Sequence, residues 1–80
     1  MRLDKFFKLS RLIKRRTVAN DACDGGRITV NGKVAKASYD VKTDDIIGIT
    51  LGSREVRVQV LDVRENVRKD DAVGLYKELN

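Results

Sequence analysis

At Gly25-Gly26 the spacing of apolar residues changes from a helical period to a period of two, so the chain must form helices before this point and strands after it. Upstream, Arg2 to Leu9 places Leu3, Phe6 and Phe7 on one side of a helical wheel, with Arg2, Lys5 and Lys8 roughly opposite. Leu12 and Ile13 then anchor a cationic connection. Thr17 is an N-cap candidate for a second, shorter helix over Val18 to Asp24, whose buried side would be Val18, Ala19, Ala22 and Cys23. One glycine of the pair supplies the left-handed turn that ends it.

Downstream, Arg27-Ile28-Thr29-Val30 alternates, Asn31-Gly32 is a strong two-residue hairpin signal, and Lys33-Val34-Ala35 returns. Ile46 to Leu51 and Glu55 to Val63 pair across Gly52-Ser53, with Ile47, Ile49 and Leu51 on one face and Val56, Val58 and Val60 on another. Gly48 inside a strand predicts a bulge or a close backbone approach. A last helix, capped by Asp70 or Asp71, is expected through Leu79, with Val73, Tyr76 and Leu79 against the body and Gly74 weakening it. The expectation is an α+β fold: two packed helices, a small, strongly bent antiparallel sheet and a short C-terminal helix. At 80 residues this is one domain, because a shorter stretch could not bury a second core.

Charge is distributed as unevenly as hydrophobicity. Residues 1 to 16 hold seven Lys/Arg and one Asp, whereas residues 17 to 80 hold ten Lys/Arg against eleven Asp/Glu. The formal net charge of +5 therefore lies at the N-terminal end, the footprint of a polyanion binder. Four cations crowd Arg11-Leu12-Ile13-Lys14-Arg15-Arg16-Thr17, just ahead of the second helix, whose N-terminal amides add positive potential. Asp21 and Asp24 lie farther along and should not touch nucleic acid.

Other chemistry is thinly represented. There is no His, and the single Cys can form no internal disulfide, so no metal site, cofactor or activated thiol is expected. Asp44-Asp45 follows Lys42 and reads as turn chemistry. No stretch has the length of a signal peptide or a membrane span, which predicts a cytoplasmic protein. With 5% aromatic residues the chain has few rings to stack on unpaired bases, and Phe6 and Phe7 read as core in preference to a stacking platform. Phosphates at fixed spacing on a folded RNA suit it better than an open strand. DNA is the weaker alternative, since Val18 to Asp24 offers small apolar and acidic side chains where a base reader would be needed.

Four blocks in order carry a resemblance: Arg2-Leu3-Asp4-Lys5-Phe6, Lys14-Arg15-Arg16-Thr17-Val18-Ala19, Gly26-Arg27-Ile28-Thr29-Val30-Asn31-Gly32-Lys33 and Ser38-Tyr39-Asp40-Val41-Lys42. Together they resemble the S-four RNA-binding domain, over about residues 1 to 51, with residues 52 to 80 adding a strand and the last helix. That resemblance implies the alpha-L arrangement of helices and sheet, with structured RNA on the helical face. The opening MRLDKFFKLSRLIKRRT is similar to the RqcP family of ribosome-associated quality-control factors, relatives of a heat-shock protein with the same domain. The likeness implies a non-catalytic protein that binds rRNA and peptidyl-tRNA on stalled large ribosomal subunits, alongside RqcH during alanine tailing. It implies Arg2 and Arg16 as leading RNA contacts, supported by Lys5, Arg11, Lys14 and Arg15; Thr17 and Lys33 complete the expected site. A monomer is expected. Where the family writes Val-Lys-Pro-Gly-Asp this chain has Val41-Lys42-Thr43-Asp44-Asp45, which predicts a looser turn.

Two other classes compete. A basic amphipathic first helix could lie on anionic lipid, although Phe6 and Phe7 are needed inside. A protein-interaction module would instead work through the sheet or the last helix. Heat-shock-type ribosome recycling, or rRNA binding in assembly, is the alternative within the ribosomal reading.

Overall fold

A computed structural model describes residues 1–65, 67–68, 72 and 74–79. Helices α1 (Leu3–Ser10) and α2 (Arg16–Asp24) precede strands β1 (Ile28–Val30), β2 (Lys33–Val34), β3 (Ile46–Leu51), β4 (Arg54–Val60) and β5 (Tyr76–Glu78). The strands form one antiparallel sheet in the order β2-β1-β3-β4-β5.

Helix α1 buries Leu3, Phe6, Phe7 and Ser10, the i, i+3, i+4, i+7 stripe of an amphipathic helix. Phe6 and Phe7 have no exposed surface, which settles them as core. Arg11 ends the helix at φ 63, its N–H donating to the Lys8 carbonyl, and Leu12 and Ile13 then pack half-buried against the core. The cationic connection is thus tied down at both apolar anchors. The residues ahead of α1 are held as well. Val41 N–H donates to Met1 O at 2.8 Å, Leu3 N–H to Tyr39 O at 2.8 Å and Asp4 N–H to Ala37 O at 3.1 Å, so Arg2 is clamped to the segment that follows β2.

Helix α2 ends in a Schellman motif: Gly26 takes φ +73, its N–H reaches Cys23 O, and Arg27 N–H reaches Ala22 O. Its start differs from expectation. Arg15 occupies the N-cap position and no side chain caps the helix, leaving Thr17 exposed in the first turn. The helix thus begins two residues earlier than local capping preference would place it, which puts Arg16, whose tertiary ion pair is described below, in its first turn. Ala19 and Cys23 are buried as expected, Ala22 is half-buried, and Val18 is instead 48% exposed.

Asn31 and Gly32 both take positive φ, 53° and 86°, the type I′ geometry that the strand twist requires. The Asn31 side chain also receives the Ile46 N–H and donates to Asp45, fastening the hairpin tip to the start of β3. Register places Ile47 opposite Val58 and Ile49 opposite Val56, so these residues share the core face, where two faces were expected. Leu51 projects beyond that core and is 58% exposed. Gly48 sits in unbroken register between Thr29 and Arg57, with no bulge, and a Cβ there would lie 2.5 Å from Thr29 Oγ1. Close approach is the reason for glycine.

The turn at Asp44 is held, not loose. Asp44 adopts φ 76, and its carboxylate accepts from Gln59 while that of Asp45 accepts from the Lys42 amide. The expected C-terminal helix does not run through Leu79: Ala72, Gly74 and Leu75 are in a 3-10 turn, Tyr76–Glu78 is a strand paired with β4, and Leu79, 46% exposed, donates its N–H to Arg57 O. The edge of β4 supplies hydrogen-bond partners that local helix preference, weakened by Gly74, does not match. The proposed caps Asp70 and Asp71, and Val73, lie outside the described residues. Tyr76 does pack half-buried at the margin of the core.

Candidate nucleic-acid interface

The basic face is built around an acid. Asp4 lies on the side of α1 that turns toward α2, and its side chain is 2% exposed. Arg2 approaches it with two nitrogens, Nε to Oδ1 at 3.2 Å and Nη2 to Oδ2 at 3.3 Å. From the start of α2, Arg16 Nη2 reaches Oδ2 at 3.2 Å and Asn20 Nδ2 reaches the same oxygen at 3.1 Å. The Lys5 amide donates to Oδ1 at 2.8 Å, and Asn20 also donates to Arg16 O at 2.8 Å. Burial acts to raise the Asp4 pKa, but the bonds from Arg2, Asn20, Arg16 and the Lys5 amide outweigh it and hold the group at about 2. It is a carboxylate at any physiological pH.

Both arginines keep an outward edge. Their side chains are 54% and 45% exposed, so each guanidinium grips Asp4 with one side and meets solvent with the other. A planar fork of five donors can present separate edges to two anions in a fixed geometry, whereas an ammonium is a compact point charge with no such edges. Two residues fourteen positions apart in sequence, expected to lead the RNA contacts, therefore meet on one patch.

The remaining expected residues are placed less uniformly. Arg11, Lys14 and Arg15 are exposed along the connection between the helices. Helix α2 has neither a side-chain cap nor an acidic residue of its own in its first turn; the negative charge beside its positive end is Asp4, bound to Arg16 and Asn20. Lys5 is half-buried and partly neutralised by Glu65, whose Oε1 lies 3.3 Å from Nζ. Lys33 lies on β2 and lines a groove with Asn31 and Tyr39, which adjoins the groove that contains Arg2 through shared walls at Val34 and Ala35. In that second groove, between α2 and the chain after β2, Arg2 is joined by Asn20, Lys36 and Ser38. Asn20 and Asp4 are the members of this cluster the sequence did not disclose. The available clue was position: Asp4 is one helical turn before Phe7, on the buried side of an otherwise cationic helix.

Cys23 is buried, and burial followed by the charges of Asp24 and Asp4 pushes its thiol pKa up, which suits a packed apolar residue. Among the described residues no group of three His, Cys, Asp or Glu side chains is placed to hold a metal ion, and no helix is long and apolar enough to cross a membrane.

Residues 1–47 match the model of the S4 domain. A protein of Halalkalibacterium halodurans named RQC P-site tRNA stabilizing factor is 56% identical over 77 residues, spanning 96% of this chain and 88% of that protein. One of the same name from Streptococcus pneumoniae is 49% identical over 77 residues, with the same coverage of both chains. Among solved structures, trimeric Heat Shock Protein 15 of Vibrio cholerae superposes with a TM-score of 0.88 at 30% identity, covering 99% of this chain and 81% of that one.

Proposed function

The chain belongs to the S4 domain family, and from that premise we propose that it is a non-catalytic RNA-binding protein of the large ribosomal subunit, acting in ribosome-associated quality control. In this reading it binds rRNA and peptidyl-tRNA on stalled large subunits and supports RqcH while alanine tails are added. The observation that carries it is the Arg2–Asp4–Arg16 cluster, which lies inside the matched residues and presents two guanidiniums as one unit. The names of the relatives at 56% and 49% identity point to the tRNA of the P site.

The chemistry is positional. Guanidinium edges pair with phosphate oxygens, the exposed cations Arg11, Lys14 and Arg15 extend the field, and the open end of α2 accepts a further phosphate. Such contacts grip a backbone of fixed shape without reading bases, which is the demand made by a tRNA held against rRNA. The protein acts as a monomer in this reading, a point that sedimentation equilibrium checks.

The test is binding to purified large subunits carrying peptidyl-tRNA, measured across a salt series. Arg16→Ala should weaken binding and lower the magnitude of the log-log salt slope by roughly 0.7 to 1, one phosphate contact. An unchanged affinity and slope would remove Arg16 from the interface, and failure of the wild type to bind these subunits would refute the reading. The likeness to Heat Shock Protein 15 favours one second reading, recycling of ribosomes in the heat-shock manner. Loss of RqcH-dependent alanine tailing in cells lacking the protein supports the first; intact tailing favours the second.

A further inference from the structure

A carboxylate at the centre of a cationic face works against simple attraction of RNA, and its placement demands a reason. Asp4 sits 3.2 Å from nitrogens of both Arg2 and Arg16, cancels part of their charge, and is itself shut off from solvent. Asp4 contributes to stability as an ion, but an apolar residue in the place of a buried charge is often neutral or better, so stability does not by itself select a carboxylate here. What the carboxylate supplies is geometry. Arg2 precedes α1 and Arg16 begins α2, and Asp4 is the group that both side chains touch.

We propose that Asp4 is a positioning residue for RNA binding: its buried carboxylate fixes the separation and orientation at which Arg2 and Arg16 present their outer edges to phosphates. The proposal rests on the RNA-binding reading above and deepens it. A free arginine has many rotamers, and ordering two of them at the moment of binding would subtract from affinity. Here the order is established on folding. Arg2 is held in a bidentate grip and so cannot rotate about its last bonds without breaking two contacts. Asn20 completes the arrangement by bonding both Asp4 and the Arg16 carbonyl, which locks the first turn of α2 to the same carboxylate. The target is then a pair of phosphates at one particular spacing, as on the backbone of a folded RNA, in preference to a flexible strand that adapts to any spacing.

The opposing explanations differ in sign. By charge alone, Asp4→Asn adds one unit of positive charge to the face and should tighten RNA binding. By positioning, it should weaken binding roughly tenfold in spite of the added charge. The probe is purified large ribosomal subunits, with the protein labelled at its C-terminus, and Asp4→Asn is measured in the wild-type chain and in Arg2→Ala/Arg16→Ala. Positioning predicts that the weakening vanishes in the double-alanine background, where there is nothing left to position. It also predicts that the Nε–H resonances of Arg2 and Arg16, sharp in the free wild-type protein, broaden or shift in Asp4→Asn. Equal or tighter binding by Asp4→Asn, or the same loss in both backgrounds, overturns the proposal and leaves the RNA-binding reading standing. Full binding by Arg2→Ala/Arg16→Ala removes that reading, and this proposal with it. If Asp4→Asn does not fold, Arg16→Lys takes its place, since it keeps the charge but lacks the rigid planar fork whose orientation Asp4 fixes. It should bind several-fold more weakly than the wild type, and undiminished binding overturns the proposal.

Discussion

Lowering the pH should remove a defined part of this protein's stability through Asp4. In the folded chain its pKa is held at about 2, against 3.8 for an unperturbed aspartate, a gap of nearly two units. Each unit corresponds to roughly 1.4 kcal/mol, so the folded environment favours the carboxylate by about 2 kcal/mol. Because the folded pKa is the lower one, this stability is fully present above the unfolded pKa. It starts to fade as pH falls below about 4 and is gone once pH has passed about 2. Urea unfolding of the wild type and of Asp4→Asn, run side by side from about pH 6 down to about pH 2, isolates the contribution, because the other carboxylates are common to both chains. The stability difference between them should shrink by about 2 kcal/mol across that range, nearly all of it below about pH 4. Asp40, whose pKa is lowered by its hydrogen bond to the N-terminal ammonium, is present in both chains and cancels. Parallel curves, or a difference that closes near about pH 6, would show that the cluster does not hold Asp4 as an ion, and the geometric reasoning would fail with it.

Other perturbations follow from single observations. Gly48→Ala should destabilise by about 1–3 kcal/mol, because its Cβ would meet Thr29 Oγ1 on the neighbouring strand; adding Thr29→Ala should restore much of the loss, and additive losses in chemical denaturation would refute the close-approach account. Arg11 and Asp44 both hold left-handed φ, 63° and 76°, so Arg11→Gly should stabilise by up to about 1 kcal/mol in thermal unfolding, and Asp44→Gly by less, because it also loses the bond from Gln59. Only Arg11→Gly should also lose affinity for large subunits. Equal affinity in both variants would take Arg11 out of the interface.

What could be read in advance was whatever depended on near neighbours in the chain. Asn31-Gly32 demands positive φ at both positions, Gly26 closes the Schellman turn, and Phe6 and Phe7 lie on the apolar stripe of α1; none of these needs a distant partner. The features misread are those decided by partners far away. Tyr76–Glu78 pairs with Val58, Gln59 and Val60, and the hydrogen bonds that β4 offers outweigh a local tendency toward helix. Thr17 has the side chain of a cap, yet α2 begins at Arg16, whose guanidinium is bound to Asp4 on the other helix. Leu51 and Leu79 fit an apolar pattern but extend past the edge of the core. Of the interface, the cations were legible because charge is written in composition. Their arrangement was not, since nothing in the spacing of Arg2 and Arg16 says that one carboxylate joins them.

That junction bears on how so small a basic domain can be selective. Net charge of +5 draws in any polyanion, and 5% aromatic residues leave little capacity for reading bases by stacking. Selectivity must then come from fitting phosphates in a fixed arrangement, and loose lysines and arginines cannot impose one. The chain solves this by placing a carboxylate where an apolar residue would pack, between two helices whose starts carry the arginines. Helix α1 is held to the segment after β2 by the backbone bonds of Met1, Leu3 and Asp4 to residues 37–41, and to the core through Phe6 and Phe7, so the spacing of the guanidiniums depends on more than the two helices. In the proposed reading, long-range attraction is reduced by one charge, and in exchange a mismatched backbone meets two cations tethered to one carboxylate.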